Sequence, residues 1–376
     1  MKKVFFDKDI TGHHLEYIHH LYMGMVERQT VQYVMIIPES FKEESTKYQW
    51  PQTSNVSFDF LSKEELDAAA SGNALISAWK NALIIRKRIK VHQPDALFLI
   101  DLMAFLPFIL LILPSKVKIS GIIYHIYLYR WKQMNRIRKA KNVILYWLLA
   151  HARSTEKVFM LNDHSACAYL NKRYHTDRFA FLPDPFNKID YQPKNVREAL
   201  GIGKESRVFL HFGGLAKRKG TITILEAVRE ISPEQRKKIT LVFAGKVYPD
   251  IHDTFYRLVE ELKSSIQIIT YDYFCSNELL ADLCYTADFL LAPYEAVDLS
   301  SGVIGYAAYY NKPVIGPSGG LLGKIIRRYQ LGTALRDITP SSLAKAIASA
   351  EPYLIESDYK EKTERERFTE RILDLQ

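Results

Sequence analysis

The sequence has few of the features that mark secreted or disulfide-bonded proteins. It contains three cysteines, Cys167, Cys275 and Cys284, which have neither a Cys-x-x-Cys spacing nor a histidine in register. An odd number of scattered cysteines does not suit a disulfide framework. The first residues, Met-Lys-Lys-Val-Phe-Phe-Asp, place charges where a secretory signal needs an apolar core. We therefore expect reduced thiols and a cytoplasmic protein.

Long apolar runs are also lacking. The longest, residues 102–114, is shorter than the roughly 18 residues that cross a bilayer, and it contains Pro107. It predicts a buried helix or the approach to one. Hydrophobic residues make up 48% of the 376 residues and charged residues 25%, which is enough for sizeable cores. Because single cores stop growing at roughly 250 to 300 residues, we expect two domains.

The sequence shows no convincing metal-binding pattern. We find no cluster of histidine, cysteine and carboxylate residues with metal-ligand spacing, and His13 and His14 are more typical of a surface pair. No repeat of solenoid length is visible either. We therefore expect neither a metal nor any other cofactor.

What the sequence does contain is an alternation of short apolar runs and helix-like stretches. In the first half, the runs that predict strands are 31–37, 96–100, 117–124, 157–161 and 179–182. In the second half, they are 207–212, 239–244, 266–270, 289–292 and 313–315. This alternation predicts a parallel sheet with crossover helices in each half.

Prolines mark the junction between the halves. Residues 182–187 read Leu-Pro-Asp-Pro-Phe-Asn, and polar residues follow. We therefore place an N-terminal domain at 1–187 and a C-terminal domain at 188–355. In the tail, 356–376, one helical stripe of Phe368, Ile372 and Leu375 predicts a helix that docks on another part of the molecule, and we expect it to pack on the N-terminal domain.

Three turns rich in glycine or serine follow predicted strands of the second half. Residues 213–220 read Gly-Gly-Leu-Ala-Lys-Arg-Lys-Gly, residues 298–303 read Asp-Leu-Ser-Ser-Gly-Val, and residues 316–320 read Gly-Pro-Ser-Gly-Gly. Glycine lets the backbone approach a ligand, and free N–H groups at a helix start bind phosphate oxygens. Each turn alone is equally an ordinary strand-to-helix connection. Because parallel strands end at one edge, the three together favour a diphosphate site.

In the order and spacing of these residues, the C-terminal half resembles the family-four glycosyltransferases of the GT-B fold. The matching elements are Gly213-Gly214-Leu215, Lys219-Gly220, Ala244-Gly245, Asp298, Ala307-Ala308, Pro313-Val314-Ile315 and Gly319-Gly320. The first half agrees more loosely, through Gly12, His125 and the proline-rich junction. The resemblance implies an α/β protein of two doubly wound Rossmann-like domains that face each other across a cleft. The acceptor would bind to the first domain and the nucleotide sugar to the second.

The resemblance also implies a reaction. The chain would be a glycosyltransferase of the hexosyltransferase type, acting with retention on a nucleotide diphosphate sugar and a glycan or lipid-linked acceptor, in cell-envelope polysaccharide synthesis. His125, Lys219 and Asp298 would be the catalytic residues. The donor-binding residues would be Gly12, Gly213, Gly214, Arg218, Lys219, Tyr273, Phe274, Asp298, Ser300, Ser301, Gly302, Val303 and Tyr306. Lys219 would bind the diphosphate, and Asp298 would contact sugar hydroxyls.

Two positions depart from the pattern of the family. Gly214 stands where the family has arginine, and Tyr306 stands where it has the second of two glutamates. A tyrosine cannot accept hydrogen bonds from both ribose hydroxyls as a carboxylate does. Lys217 or Arg218 is a candidate to replace the arginine. A different base or sugar and a catalytically degenerate GT-B binding or scaffold protein both stay open.

The net charge of +9 suits phosphorylated ligands, anionic membranes or nucleic acid. Basic residues of 130–141 stand beside Trp131 and Trp147, a composition that suits the inner face of the cell membrane. A solvated basic turn followed by a core helix is an equal alternative. No nucleic-acid-binding motif accompanies the charge, so we do not expect nucleic acid as a partner.

Overall fold

The computed structural model describes residues 1–11, 13–47, 49–186, 188–295, 298, 301–363 and 365–375. Two predicted donor-binding residues, Gly12 and Ser300, lie outside the described residues. The chain forms two compact units: Met1–Pro183 with Arg365–Gln376, and Asp184–Glu364.

The first unit is built on one parallel sheet of seven strands. The strands are β1 (Lys2–Phe6), β2 (Gln32–Pro38), β3 (Val56–Leu61), β4 (Ala96–Leu99), β5 (Lys118–Ile123), β6 (Thr155–Leu161) and β7 (Phe179–Leu182). Their order in the sheet is β3-β2-β1-β4-β5-β6-β7. The connecting helices are α1 (His13–Val26), α2 (Phe41–Glu44), α3 (Lys63–Ala70), α4 (Ala74–His92), α5 (Phe108–Ile112), α6 (Arg136–His151) and α7 (His164–Tyr174), with 3₁₀ turns at Ser45–Lys47, Leu102–Phe105 and Tyr127–Gln133.

The second unit repeats this architecture with six parallel strands. They are β8 (Arg207–Phe212), β9 (Ile239–Ala244), β10 (Gln267–Tyr271), β11 (Phe289–Leu291), β12 (Val314–Pro317) and β13 (Gly332–Leu335), in the order β10-β9-β8-β11-β12-β13. The helices are α8 (Thr221–Glu230), α9 (Pro233–Arg236), α10 (His252–Leu262), α11 (Asn277–Thr286), α12 (Val303–Tyr310), α13 (Gly320–Arg328), α14 (Pro340–Ser349) and α15 (Tyr359–Lys362). A 3₁₀ turn spans Lys217–Lys219.

Both sheets follow from the same local chemistry. Their central strands are continuous apolar runs that are buried on both faces, as in β8 and β9, which is the pattern of a parallel sheet covered by helices. Polar side chains at the helix N-termini satisfy free N–H groups: the Asn73 side chain accepts from two amides of α4, and the Asn135 side chain accepts from the Arg138 amide of α6.

In each unit the strand order reverses at one point. The reversal lies between β1 and β4 in the first unit and between β8 and β11 in the second. Neighbouring crossovers leave to opposite faces there, which opens a crevice at the carboxyl ends of the strands where doubly wound proteins bind ligands. The loops that follow β1, β4, β8 and β11 are therefore the places to look for a site.

The tail returns to the first unit through α16 (Arg365–Leu373), which packs on α1. Phe368, Ile372 and Leu373 are buried, and the Phe368 ring lies 4.9 Å from that of Tyr17. Lys3 Nζ in β1 donates to Leu373 O at 2.9 Å, so a buried cation satisfies the carbonyl end of the helix. The tail holds the short α15 as well as α16, and Leu375 lies beyond the last helix.

Three strands are missing from the runs predicted from the sequence: β1, which begins with two lysines, and the strands β3 and β13. Exposed or polar residues, Ser57 and Asp59, interrupt β3, and β13 begins with glycine. Both are edge strands, whose apolar signal is weaker because one side lacks a covering neighbour. The apolar run 102–114 is divided at Pro107 between a 3₁₀ turn and α5. Within the described residues, no helix combines the length and the apolar content that crossing a membrane requires.

Candidate functional site

The loop after β8 approaches its neighbours so closely that side chains are excluded from three positions. Gly213, Gly220 and Gly245 all have positive φ angles, of 89°, 72° and 139°. A Cβ atom at Gly245 would overlap Gly213 O, and one at Gly220 would overlap Pro293 O. The loops after β8, β9 and β11 therefore meet backbone to backbone at the reversal point, a geometry that requires glycine.

Lys219 is the basic residue of this loop that turns toward the glycines. A Cβ atom at Gly213 would lie 2.6 Å from Lys219 Nζ, so the ammonium group stands directly over the Gly213 turn. The same Nζ lies 5.5 Å from the ring centroid of Tyr294. No carboxylate among the described residues lies within salt-bridge distance of it, whereas Lys217 and Arg218 are exposed. The structure therefore presents one partly buried cation at this edge of the sheet.

The loop after β11 completes this edge. Glu295 N–H donates to Arg218 O at 3.0 Å, which ties the loop to the one after β8. Ser301 Oγ donates to Tyr294 Oη at 3.2 Å, and Gly302 is the N-cap residue of α12. Val303, the first residue of α12, is buried. A lysine ammonium, a hydroxyl and the N-terminus of a helix thus share one edge, and each stabilises negative charge.

Asp298 is buried, as a role inside a site requires. Its neighbours 296, 297, 299 and 300 lie outside the described residues. The predicted contact of Asp298 with sugar hydroxyls therefore stays a prediction.

His211, in β8, holds the loops after β8 and β11 in place through two hydrogen bonds. His211 Nδ1 lies 2.9 Å from Leu291 O, and Nε2 lies 3.0 Å from Thr221 Oγ1, so the imidazole joins β8, β11 and the start of α8. Burial lowers the pKa of His211 to about 4, and the nearby charge of Lys219 acts in the same direction. The ring is therefore neutral near pH 7. Sequence reasoning missed it because a strand histidine carries no signal of its partners.

Tyr248 takes the space where the family's arginine would stand. A Cβ atom at Gly214 would lie 2.5 Å from Tyr248 Cε2. Pairing between β8 and β9 continues past the strand ends, since Tyr248 N–H donates to Leu215 O at 2.8 Å, and this places the ring on Gly214. The absence of a side chain at 214 and the presence of Tyr248 are therefore linked. Gly245, directly after β9, was the feature of the sequence that could have indicated this close approach.

Tyr306 packs into an aromatic group. Its ring centroid lies 4.9 Å from that of Phe186 and 5.1 Å from that of Phe212, both edge to face. Phe212 ends β8 immediately before Gly213. The residue that replaces the family's second glutamate therefore supports the glycine loop through its ring.

The other predicted residues of the second unit lie at the same edge but farther along it. Tyr273 and Phe274 follow β10, the outermost strand, and both are exposed. The third glycine-rich turn, 316–320, leads into α13, where a Cβ atom at Gly323 would overlap the Ser318 backbone. The structure thus ties the loop after β8 to residues 293–295 of the loop after β11, and it leaves the aromatic pair two strands away from β8.

The reversal point of the first unit carries a different set of groups. His14 Nδ1 donates to Asp7 Oδ2 at 2.7 Å, and Asp7 is buried. Burial opposes protonation of His14, but the hydrogen bond and charge of Asp7 outweigh it, so the His14 pKa is raised. The predicted surface pair is correct for His13 and wrong for His14. His125 lies two residues beyond β5 and is exposed.

The sequence contains one Asp-x-Asp triplet, Asp7-Lys8-Asp9, which the search for metal-binding patterns missed. In the structure, Asp7 accepts from His14, and Asp9 accepts from the backbone N–H and the hydroxyl of Thr11 at 2.8 Å. Among the described residues, no group of three or more histidine, cysteine or carboxylate side chains is placed to hold a metal ion. The expectation of metal independence stays a prediction.

No protein-family model and no curated protein matches the sequence. Solved structures do resemble it over its whole length. WaaG, a glycosyltransferase involved in lipopolysaccharide biosynthesis, is 16% identical with a TM-score of 0.64, and the match covers 99% of this chain and 97% of WaaG. Anabaena HepE in complex with UDP and glucose is 15% identical with a TM-score of 0.62, covering 100% and 95%. The UDP-GlcNAc 2-epimerase of Methanocaldococcus jannaschii is 14% identical with a TM-score of 0.63, covering 100% and 99%.

These matches confirm the fold class predicted from the sequence, GT-B with two doubly wound Rossmann-like units. At identities this low they show the fold alone. Because the same fold carries transferases and an epimerase, the reaction has to be argued from the site.

Proposed function

We propose that this chain is a glycosyltransferase that moves a hexose from a nucleoside diphosphate sugar to a glycan or lipid-linked acceptor. The observation that supports it best is the position of Lys219 Nζ over the Gly213 turn, at the reversal point between β8 and β11. Ser301 and the N-terminus of α12 share that edge. A cation, a bare backbone turn and helix-terminal amides together suit a diphosphate. One neighbour described as a glycosyltransferase and another in complex with UDP and glucose add support.

In the proposed reaction, the bond between the anomeric carbon and the diphosphate oxygen breaks as the acceptor oxygen attacks. Negative charge builds on the departing diphosphate, and Lys219 and the amides of α12 stabilise it without a metal ion. The acceptor attacks on the face that the diphosphate leaves, which retains the configuration. A diphosphate oxygen takes the acceptor proton. Asp298 holds the sugar hydroxyls.

Recognition of the nucleotide differs from the family pattern. With Tyr248 on Gly214 and Tyr306 packed on Phe186 and Phe212, neither position offers the charged group of the family. Tyr273 and Phe274 offer exposed aromatic faces for a base. We infer a donor pocket that relies on stacking more than on carboxylate hydrogen bonds to ribose.

We place the reaction in the cytoplasm, in synthesis of a cell-envelope polysaccharide. All three cysteines are buried free thiols, as in a reducing compartment.

Incubation of the purified chain with a panel of nucleoside diphosphate sugars tests this proposal. Each donor is supplied with and without glycan and lipid-linked acceptors, in excess chelator, and products are identified by mass spectrometry and NMR. We expect acceptor-dependent release of a nucleoside diphosphate and a product with the anomeric configuration of the donor. Epimerised donor formed without acceptor would assign an epimerase instead. Donor binding without any turnover would assign the degenerate scaffold.

A further inference from the structure

The two units differ sharply in charge. Residues 1–183 contain 25 Lys and Arg against 16 Asp and Glu, whereas residues 184–376 contain 26 of each. The whole net charge of +9 therefore belongs to the first part of the chain. Within it, residues 102–155 contain nine Lys and Arg and no Asp or Glu. A field of one sign concentrated on one unit attracts an extended anionic partner.

The first unit also exposes large apolar side chains, on α4 and α6. On α4, Leu75, Trp79 and Leu83 follow one another at i, i+4 and i+8 and are all exposed, so they form one stripe. On α6, Ile137 is 81% exposed, and Ile144 and Trp147 lie on the same side of the helix at 56% and 51%. Exposed apolar residues normally occur singly, and a set of this size marks an interaction surface.

The helices that carry these side chains adjoin one another. A cavity of about 520 Å³ is lined by Leu75 and Ala78 of α4 and by Arg138 and Lys141 of α6. The Trp79 ring contacts Phe108 of α5 at 5.2 Å between centroids. We name the exposed residues of these two helices the α4–α6 surface, with its apolar part formed by Leu75, Trp79, Leu83, Ile137, Ile144 and Trp147. Its basic part is formed by Arg136, Arg138, Lys139 and Lys141, all on α6.

Tryptophan is concentrated here. The chain has four tryptophans, and Trp79, Trp131 and Trp147 are all exposed in this region, whereas Trp50 packs against the core of the first unit. Lys139 Nζ lies 5.2 Å from the ring centroid of Trp131, so a cation and an aromatic ring stand together. Tryptophan beside lysine and arginine favours the interface between lipid headgroups and acyl chains.

We propose that the α4–α6 surface docks the protein on an anionic lipid bilayer. The apolar side chains enter the outer acyl region, and the basic side chains bind lipid phosphates, with Arg138 and Lys141 at the cavity. Charge decides against two other occupants of the same face. A second copy would bring two strongly basic surfaces together, and nucleic acid would leave Ile137, Ile144 and Trp147 without apolar partners.

Docking on a bilayer selects a lipid-linked acceptor for the proposed glycosyltransferase, and this choice of acceptor rests on the proposed function. The surface itself is tested without turnover. Nucleoside diphosphate binding measured without lipid reports on the donor site, so failure of one proposal is distinguishable from failure of the other.

The test is co-sedimentation of the full chain with vesicles of phosphatidylcholine alone or with 30% phosphatidylglycerol, in low and high salt. We expect binding to the anionic vesicles that weakens with salt and is much weaker on neutral vesicles. A basic-surface variant, Arg136→Gln/Arg138→Gln/Lys141→Gln, should lower partitioning on the order of 10²-fold, from about fivefold per lost charge. An apolar-surface variant, Leu75→Ser/Ile137→Ser/Ile144→Ser, should lower it at least about tenfold.

Matched control variants use exposed residues away from the surface. Lys237→Gln/Lys238→Gln/Lys345→Gln removes the same charge from the second unit, and Tyr353→Ser/Leu354→Ser removes exposed apolar side chains there. Both should bind as wild type does. Thermal melts confirm that each variant is folded.

Tryptophan fluorescence gives a second readout. Phospholipids brominated on the acyl chain should quench the wild-type emission, because Trp79, Trp131 and Trp147 face the bilayer. Trp79→Phe/Trp131→Phe/Trp147→Phe leaves Trp50, whose emission should not be quenched. The proposal is overturned if the wild type does not bind anionic vesicles, binds neutral vesicles as tightly as anionic ones, or binds duplex DNA more tightly than anionic vesicles. It is equally overturned if the two surface variants bind as their controls do.

Discussion

At the scale of single residues, the second unit owes its candidate site to a few close approaches. Gly213 and Gly220 have positive φ angles, and Gly213 lies under Lys219 Nζ. A side chain at either glycine would strain the loop, and one at Gly220 would also push the loops after β8 and β11 apart. Small changes here are therefore expected to act on function through geometry.

Asp298→Asn and Tyr306→Phe should differ in effect. Asp298 is buried and is proposed to hold sugar hydroxyls, so its loss leaves polar groups unpaired at roughly 1 to 3 kcal/mol and should lower kcat/KM by about tenfold or more. Tyr306→Phe keeps the ring that packs on Phe186 and Phe212 and should be mild. Steady-state kinetics on both variants checks this. Equal, small effects would remove Asp298 from the donor site.

Gly214→Arg should destabilise the protein as a single substitution and should be tolerated when Tyr248 is also replaced. The new Cβ would lie 2.5 Å from Tyr248 Cε2, so the single variant is overpacked, but because this ring is exposed and can turn aside, the loss of unfolding free energy should stay at about 1 kcal/mol. Gly214→Arg/Tyr248→Ala should recover stability and bind a nucleoside diphosphate more tightly than wild type. Urea unfolding and calorimetry measure both quantities. A fully stable single variant would show that Tyr248 does not take the arginine's place.

His211 should make stability depend on pH. Its folded pKa of about 4 is below the ordinary value of 6.5, so the unfolded chain binds the proton more readily. Its contribution is present above pH 6.5 and is lost as the pH falls toward 4, with a slope of up to about 1.4 kcal/mol per pH unit. His211→Asn does not titrate, so its stability profile should be flatter over this range. Parallel profiles would show that His211 is not held neutral.

The sequence could predict the residues that a turn contains but not those that turns bring together. Gly213 and Lys219 belong to one loop, and their pairing follows from its length. The contact of Tyr248 with Gly214 and the hydrogen bond from Glu295 N–H to Arg218 O depend on how strands β9 and β11 flank β8. Whether His125 contacts the transferring sugar is a prediction of the same kind and stays open.

At the scale of elements, the tail is a test of how packing selects a helix. The sequence stripe predicts docking through Phe368 and Ile372, and both are buried against α1. Gly24 of α1 permits the approach, since a Cβ there would lie 2.8 Å from Leu373 Cδ1. Helix α16 is short and its mean hydropathy is low, so its order depends on these contacts more than on propensity.

Phe368→Ala should therefore loosen the tail and the first unit together. Phe368 is fully buried and contacts Tyr17, so its truncation should cost about 3 to 5 kcal/mol of unfolding free energy. Glu370→Ala, on the exposed side of the same helix, is the control and should cost little. Urea unfolding and hydrogen exchange in α1 report the effect. An unchanged exchange rate in α1 would show that the helix does not stabilise it.

At the scale of the whole molecule, the chain combines two sheets of the same topology with very different chemistry. The first unit carries the net charge, the exposed tryptophans and most of the exposed aliphatic side chains, and the second is electrically balanced and carries the glycine loops. Alternating apolar runs predict this architecture because central parallel strands are buried on both faces. Because one fold serves several reactions, the proposed glycosyl transfer depends on the residues of the candidate site.

Calorimetric titration with UDP, GDP and ADP in excess chelator tests the central claim most directly, because it asks whether Lys219 and the Gly213 turn bind a diphosphate. The account predicts that at least one nucleoside diphosphate binds with one site per chain. Lys219→Ala should weaken that binding at least about tenfold, as expected for loss of a charge-assisted contact, and the exposed-site control Lys237→Ala should leave it unchanged. If no nucleoside diphosphate binds, or if Lys219→Ala binds as tightly as wild type, the account is contradicted.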